Sequence, residues 1–107
     1  MSDKIKELNV GSFKSFIEKG NSVVDFWAEW CGPCKVMGPA FDTAAKEIDE
    51  VNFGKVDVDT QTDIAQEYNI MGIPALLFFK DGELIDQTSG AMPSEDVIAK
   101  IKEVFKL

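Results

Sequence analysis

The sequence contains no histidine and no arginine, and only two of its 107 residues are cysteines. Without histidine, the chain lacks the commonest metal ligand and the usual general base. The 19 acidic residues outnumber the 11 lysines and give a net charge of -8, so a surface that binds nucleic acid is not expected. The composition therefore favours chemistry that needs neither an imidazole nor a phosphate-binding patch.

Long apolar runs are also missing from the chain. No stretch approaches the roughly 18 consecutive apolar residues of a membrane span, and segment 1–7 lacks the apolar run of a signal peptide. We therefore expect no membrane association and a cytoplasmic location. The length fits one domain over residues 1–107.

Strand-like and helix-like segments alternate along the whole chain. The apolar patterns predict strands over 5–8, 23–27, 51–58, 75–79 and 83–88. They predict helices through Phe13, Phe16 and Ile17, over 34 to about 50, over 64–68 and over 94 to about 106. The order βαβαβαββα predicts an α/β fold, in which a central mixed sheet has an early parallel part, a late antiparallel hairpin and helices on both faces.

Local signals refine these elements. Asp81-Gly82 predicts a tight hairpin between the last two strands, and Ser94 is the predicted N-cap of the last helix. Pro39 is expected to bend the long second helix around the sheet. The apolar stripe of that helix is predicted at Val36, Met37, Phe41, Ala44, Ala45 and Ile48.

The cysteine pair Cys31-Gly32-Pro33-Cys34 lies where a buried strand gives way to this helix. A thiol at a helix N-terminus meets unpaired N–H groups and the positive end of the helix dipole, and both favour the reactive thiolate. Gly32 leaves room for an incoming substrate, and Pro33 is tolerated in the first helical turn. We predict that Cys31 is exposed and attacks, whereas Cys34 is shielded and resolves the mixed disulfide.

Three other interpretations of the two cysteines remain open. A purely structural disulfide would close a very short loop and contribute only about 2 kcal/mol. A zinc site needs four ligands, and the sequence offers two cysteines without any histidine. Two unrelated buried thiols would have no reason to lie at a strand-to-helix turn. No metal and no bound cofactor are therefore expected.

A highly specific family motif occupies segment 25–35, which reads Asp-Phe-Trp-Ala-Glu-Trp-Cys-Gly-Pro-Cys-Lys. With Pro39, the segment 72–75 and Gly90, it resembles the thioredoxin family over essentially the whole chain. The resemblance implies a thioredoxin fold and a monomeric protein-disulfide reductase that cycles between a dithiol and a Cys31–Cys34 disulfide. A thioredoxin reductase, either flavin-dependent or ferredoxin-dependent, would recharge it, and disulfide-bearing proteins would be its targets.

The resemblance also implies roles for individual residues. Residues that would contact the substrate are Trp30, Gly32, Pro33, Gly72, Ile73, Pro74, Gly90 and Ala91. The bond Ile73–Pro74 would be cis and would face the cysteines. Trp27 would pack under the active turn, and Pro39 would be structural. Departures from the commoner family pattern are Met71, Ala75 and Met92-Pro93. They would border the groove that holds the extended backbone of the substrate, and would affect the choice of partner.

Asp25 interrupts an apolar strand and could be either a buried acid with a raised pKa or a carboxylate that reaches water at a bulge or sheet edge. The resemblance favours the first alternative and implies that Asp25 relays the proton of Cys34 near Lys55. Lys55 as an ordinary exposed lysine stays an alternative.

Two rival functions remain for the whole chain. One is a thiol oxidase or isomerase of the same fold, and the other is a binding module whose redox pair is incidental.

Overall fold

The computed structural model describes residues 4–107 of the chain. In chain order the elements are β1 (Ile5–Glu7), α1 (Phe13–Ile17), β2 (Asn21–Trp27), α2 (Gly32–Glu47), β3 (Asn52–Asp57), α3 (Thr62–Glu67), β4 (Ala75–Lys80), β5 (Glu83–Ser89) and α4 (Ser94–Phe105). All nine elements were predicted from the sequence in this order. The predicted and observed bounds agree to within three residues.

The five strands form one mixed sheet in the order β1-β3-β2-β4-β5. β3 pairs in parallel with both β1 and β2, whereas β4 pairs antiparallel with β2 and β5. The parallel pairs come first in the chain because α1 and α2 serve as crossover connections. The predicted α/β class and mixed sheet are confirmed, and β2 lies at the centre of the sheet.

The two faces of the sheet bury separate apolar cores. Alternating side chains of β2 divide between them, since Val23 joins the core beneath α2 and α4 while Val24 and Phe26 join the core beneath α1 and α3. Leu76 and Phe78 of β4 also belong to the core beneath α2 and α4. Helices therefore cover both faces, as predicted, and hold the carboxyl end of β2 in place.

The predicted hairpin forms at Asp81-Gly82, where φ is 49° and 86°. Positive φ at both central residues defines a type I′ turn, which suits the twist of the flanking strands. The Asp81 carboxylate also accepts a hydrogen bond of 2.8 Å from the backbone N–H of Gly20. This turn is thus tied to the end of the α1 connection.

Two local predictions are wrong. The N-cap of α4 is Pro93, whose extended φ and ψ of -66° and 159° end the preceding loop, and Ser94 is already helical. Val36 is 61% exposed and does not join the apolar stripe of α2, because this face of the helix points away from the sheet. Pro39 lies inside α2, which continues through it.

Candidate active site

Cys31 and Cys34 form a disulfide at the N-terminus of α2, with their Cα atoms 5.3 Å apart. Cys31 is itself the N-cap of the helix, and its Sγ accepts a hydrogen bond of 3.2 Å from the backbone N–H of Cys34. An N-cap sulfur faces the N–H groups that have no intrahelical partner. Reduction would therefore leave a Cys31 thiolate in an environment that stabilises negative charge.

The predicted exposure of Cys31 is wrong for this structure. Cys31 is 3% exposed and Cys34 is 7% exposed, so both cysteines are buried. The loop before β4 causes this burial, because Ile73 packs against the pair and its carbonyl oxygen lies 3.8 Å from Cys31 Sγ. The two sulfurs therefore differ in their position at the helix end and not in their exposure.

Asp25 is buried in the middle of β2, with 4% of its surface exposed. Its Oδ1 has no hydrogen-bond partner within residues 4–107. Burial raises the pKa of Asp25 to about 7, while the positive charge of Lys55 acts in the opposite direction. Asp25 and Cys34 line the same cavity of about 290 Å³. The alternative in which this carboxylate reaches water at a sheet edge is excluded, because β2 is the central strand.

Lys55 and Trp27 also line that cavity. Lys55 pairs in register with Asp25 across β2 and β3, which places it on the same face of the sheet. Its Nζ is 5.4 Å from the centre of the Trp27 ring, within the range of a cation–π contact. Lys55 is half-buried, so the interpretation as an ordinary exposed lysine does not hold.

Trp30 is 70% exposed beside the disulfide and is held by a residue that the sequence analysis missed. Its indole Nε1–H donates a hydrogen bond of 2.8 Å to Asp59 Oδ2. Asp59 follows β3, in a polar stretch to which no role was assigned from the sequence. The signal was available, because the carboxyl ends of adjacent parallel strands lie at one edge of a sheet and place the following loops side by side.

The loop before β4 and the loop after β5 meet beside the cysteines. The Ile73–Pro74 peptide bond is cis, as the resemblance implied. The backbone N–H of Gly90 donates a hydrogen bond of 2.8 Å to the carbonyl oxygen of Pro74, and Gly90 has a φ of 93°. Gly72 and Ala91 are exposed on either side of this contact. Ile73, Pro74 and Gly90 therefore lie together next to Cys31.

The sequence model of the family described as Thioredoxin matches residues 4–103 of this chain. The chain belongs to the thioredoxin family. It is 42% identical over 88 residues to the thioredoxin of Mycoplasma pneumoniae, with 82% of this chain and 86% of that protein covered. It is 36% identical over 99 residues to the thioredoxin of Chlamydia caviae, with 92% and 97% covered.

A solved structure gives the same result. The crystal structure of the Malassezia sympodialis thioredoxin superimposes on this chain with a TM-score of 0.86 at 40% sequence identity, covering 92% of this chain and 89% of the other. Thioredoxins are thiol–disulfide oxidoreductases, and this thioredoxin-family chain carries its two cysteines at disulfide distance. It is therefore a dithiol–disulfide reductase of a family that generally works with thioredoxin reductase and disulfide-bearing targets.

The departures from the commoner thioredoxin pattern lie in different environments. Met71 is 88% exposed at the rim of the groove, whereas Ala75 is buried in the core beneath α1 and α3. Met92 is half-buried and packs against the other core, and Pro93 caps α4. Met71 and Pro93 are thus exposed, whereas Ala75 is not placed to contact a partner.

Two kinds of site are absent from the described residues. Within the described range 4–107, no group of three or more cysteine, aspartate or glutamate side chains is arranged to hold a metal ion. Over the same residues, no helix has the length and apolar character needed to cross a bilayer. The family normally works without a bound cofactor, and the cysteine pair itself carries the electrons.

Proposed function

We propose that Cys31 is the attacking cysteine and Cys34 the resolving cysteine of this reductase. The observation that supports this assignment is the N-cap position of Cys31, where the backbone N–H of Cys34 points at its sulfur. The Cys31 thiolate forms a bond to one sulfur of the target disulfide, and the other target sulfur leaves as a thiolate that takes up a proton. A mixed disulfide between Cys31 and the target results.

Asp25 supports the second step as the proton acceptor for Cys34. Its pKa of about 7 lets it take a proton near neutral pH, and both residues line one cavity. The Cys34 thiolate then attacks Cys31 Sγ, the Cys31–target bond breaks, and the second target sulfur leaves. Two electrons have then passed to the target, and each of its two released sulfurs takes up one proton from solvent. Lys55 supports Asp25 by lowering the pKa that burial raises.

The target is proposed to bind along the surface formed by Trp30, Gly32, Pro33, Gly72, Ile73, Pro74, Gly90 and Ala91. Trp30 offers an exposed apolar face that Asp59 holds in place. Because Pro74 has no N–H, the backbone N–H and C=O of Ile73 are the groups that can pair with an extended target segment as an added strand. Trp27 and Pro39 shape the site from beneath.

For the complete cycle, we propose a monomer in the cytoplasm that acts as a single domain over residues 1–107. A thioredoxin reductase, either flavin-dependent or ferredoxin-dependent, returns two electrons and two protons to the Cys31–Cys34 disulfide. Proteins with accessible disulfides then take up these electrons. The thioredoxin family membership supports this cycle in general terms.

Trapping with a disulfide-bonded peptide tests the roles of the two cysteines. The reduced Cys34→Ser variant should accumulate a mixed disulfide on Cys31, since no thiol remains to resolve it. The matched Cys31→Ser variant should accumulate none. Mass spectrometry of the non-reduced, digested adduct locates the bond. An adduct on Cys34 in the second variant, with none on Cys31 in the first, would reverse the assignment.

A further inference from the structure

Asp25 lies at the junction of two cavities. The first, of about 290 Å³, reaches Cys34, Glu29 and Lys35 beside the active turn. The second, of about 350 Å³, extends the other way, past Ile5 of β1 and Asp42 of α2. Three residues line both cavities, and these are Asp25, Gly38 and Lys55. The buried carboxyl therefore faces space on two sides.

Gly38 forms the part of α2 that lies over this junction. A Cβ atom built at Gly38 would meet no heavy atom of the described residues within 4 Å. No positive φ requires glycine there, because Gly38 lies inside a regular helix, where glycine is less favourable than alanine by about 1 kcal/mol. Backbone conformation therefore does not explain the glycine, and the space beside it is unfilled.

The second cavity suits water. A buried carboxylate requires a hydrogen-bond partner, and Asp25 Oδ1 has none among the side chains and backbone of residues 4–107. A cavity of this size holds several water molecules, which occupy about 30 Å³ each in the liquid. Lys55 and Asp42 add polar groups to its wall. Water in this cavity can therefore reach from the carboxyl towards the surface.

We infer that the second cavity is a water-filled path by which Asp25 exchanges its proton with solvent, and that Gly38 keeps this path open. The inference rests on the proposed role of Asp25. The proton that leaves the Cys34 thiol passes to the Asp25 carboxylate and then to water in the second cavity. This cavity is lined by none of the residues proposed to bind the target. Asp25 consequently keeps access to solvent while a target covers the cysteines.

The charged groups that line the two cavities beside Asp25 come from several elements. Lys55 belongs to β3, Glu29 and Lys35 to the turn and the first part of α2, and Asp42 to a later part of α2. Cys34, which becomes a thiol when the disulfide is reduced, also lines the first cavity. Gly38 carries no charge and acts through Asp25, so it is a positioning residue. Its replacement can change access of water without changing any of these charges.

The variant Gly38→Leu tests the path, with Gly38→Ala as the matched control for helix propensity. Leucine should fill the shared space, remove water from Asp25 and raise its pKa by about one unit or more, because desolvation disfavours the carboxylate. Carboxyl ¹³C chemical shifts measured against pH report this change. Single-turnover resolution of a peptide mixed disulfide at pH 7 should slow roughly tenfold, within the range that acid–base groups contribute. Alanine should leave both measurements close to the parent.

Two further variants separate the possible outcomes. Ile5→Trp narrows the same cavity from β1, so it tests the path even if leucine at position 38 disturbs α2. Combining Gly38→Leu with Asp25→Asn should give no slowing beyond that of Asp25→Asn alone. If Asp25→Asn itself resolves mixed disulfides at the parental rate, the proposed role of Asp25 is wrong. If Asp25→Asn is slow but Gly38→Leu and Ile5→Trp leave the pKa and rate unchanged, only the path is wrong.

Discussion

Asp25 is the residue in which stability and chemistry conflict most clearly. Burial of the carboxylate in the central strand raises its pKa, and the nearby Lys55 offsets only part of that effect. An apolar residue would suit this buried central strand better. The acid therefore destabilises the fold at the position where a proton acceptor is useful.

The variant Asp25→Asn is expected to stabilise the protein at pH 8. Burial raises the folded-state pKa from 3.8 to about 7, so ionisation lowers stability as pH rises between these values and the full loss persists above pH 7. At 1.36 kcal/mol per unit, the gain is at most about 4 kcal/mol. Urea unfolding at pH 8 measures the gain, and it should nearly vanish at pH 4. A variant less stable than the parent at pH 8 would contradict the assignment of a strained buried acid.

The two thiols of the reduced protein should also differ in reactivity. Limiting iodoacetamide should modify Cys31 well before Cys34, because the Cys31 sulfur occupies the N-cap and receives the N–H of Cys34. Peptide mass mapping at increasing times measures both sites, and the Cys31→Ser and Cys34→Ser variants calibrate each rate alone. If both cysteines are modified at equal rates, or Cys34 is modified faster, the helix terminus does not determine which cysteine is the nucleophile.

At the scale of elements, the strands and helices were predictable because their signals are local. The apolar run of β2 and the Asp81-Gly82 turn need no distant residue to be recognised. Apart from the N-cap of α4 and the stripe of α2, the errors concern contacts between elements. The burial of Cys31 depends on Ile73, which is 42 residues away, and the partner of Trp30 is Asp59 in another loop. Periodicity does not encode such contacts, although the strand order places the loops after β2 and β3 side by side.

The hairpin turn provides an element-scale prediction. Gly82 has a φ of 86°, which alanine adopts only with strain, although an added Cβ would contact Glu18 at an ordinary 3.8 Å. The variant Gly82→Ala should therefore lower the free energy of unfolding by about 1–2 kcal/mol and leave disulfide reduction unchanged. Denaturant unfolding and a peptide-reduction assay measure the two effects. The exposed neighbour Lys80→Ala is the control, and an equal loss there would refute the conformational explanation.

At the scale of the whole molecule, the sheet concentrates burial on one strand of the hairpin. Leu77 in β4 is fully buried, whereas Leu84 in β5 is 38% exposed. The same leucine-to-alanine change should thus lower the free energy of unfolding by about 3–5 kcal/mol at Leu77 and by less than about 1 kcal/mol at Leu84. Urea unfolding of the two variants measures the difference. Similar losses at both positions would mean that the two-core packing does not determine stability.

The central position of β2 also determines how often the site can open. Its residues are almost all buried and are bonded on both sides, by β3 and by β4. Amides in such a strand exchange with deuterium only when the whole domain unfolds, whereas edge strands and short helices exchange through local opening. Asp25 lies within this strand, and Cys31 follows it after a three-residue turn. We therefore expect the residues that exchange electrons to be attached to the backbone that exchanges hydrogen least readily.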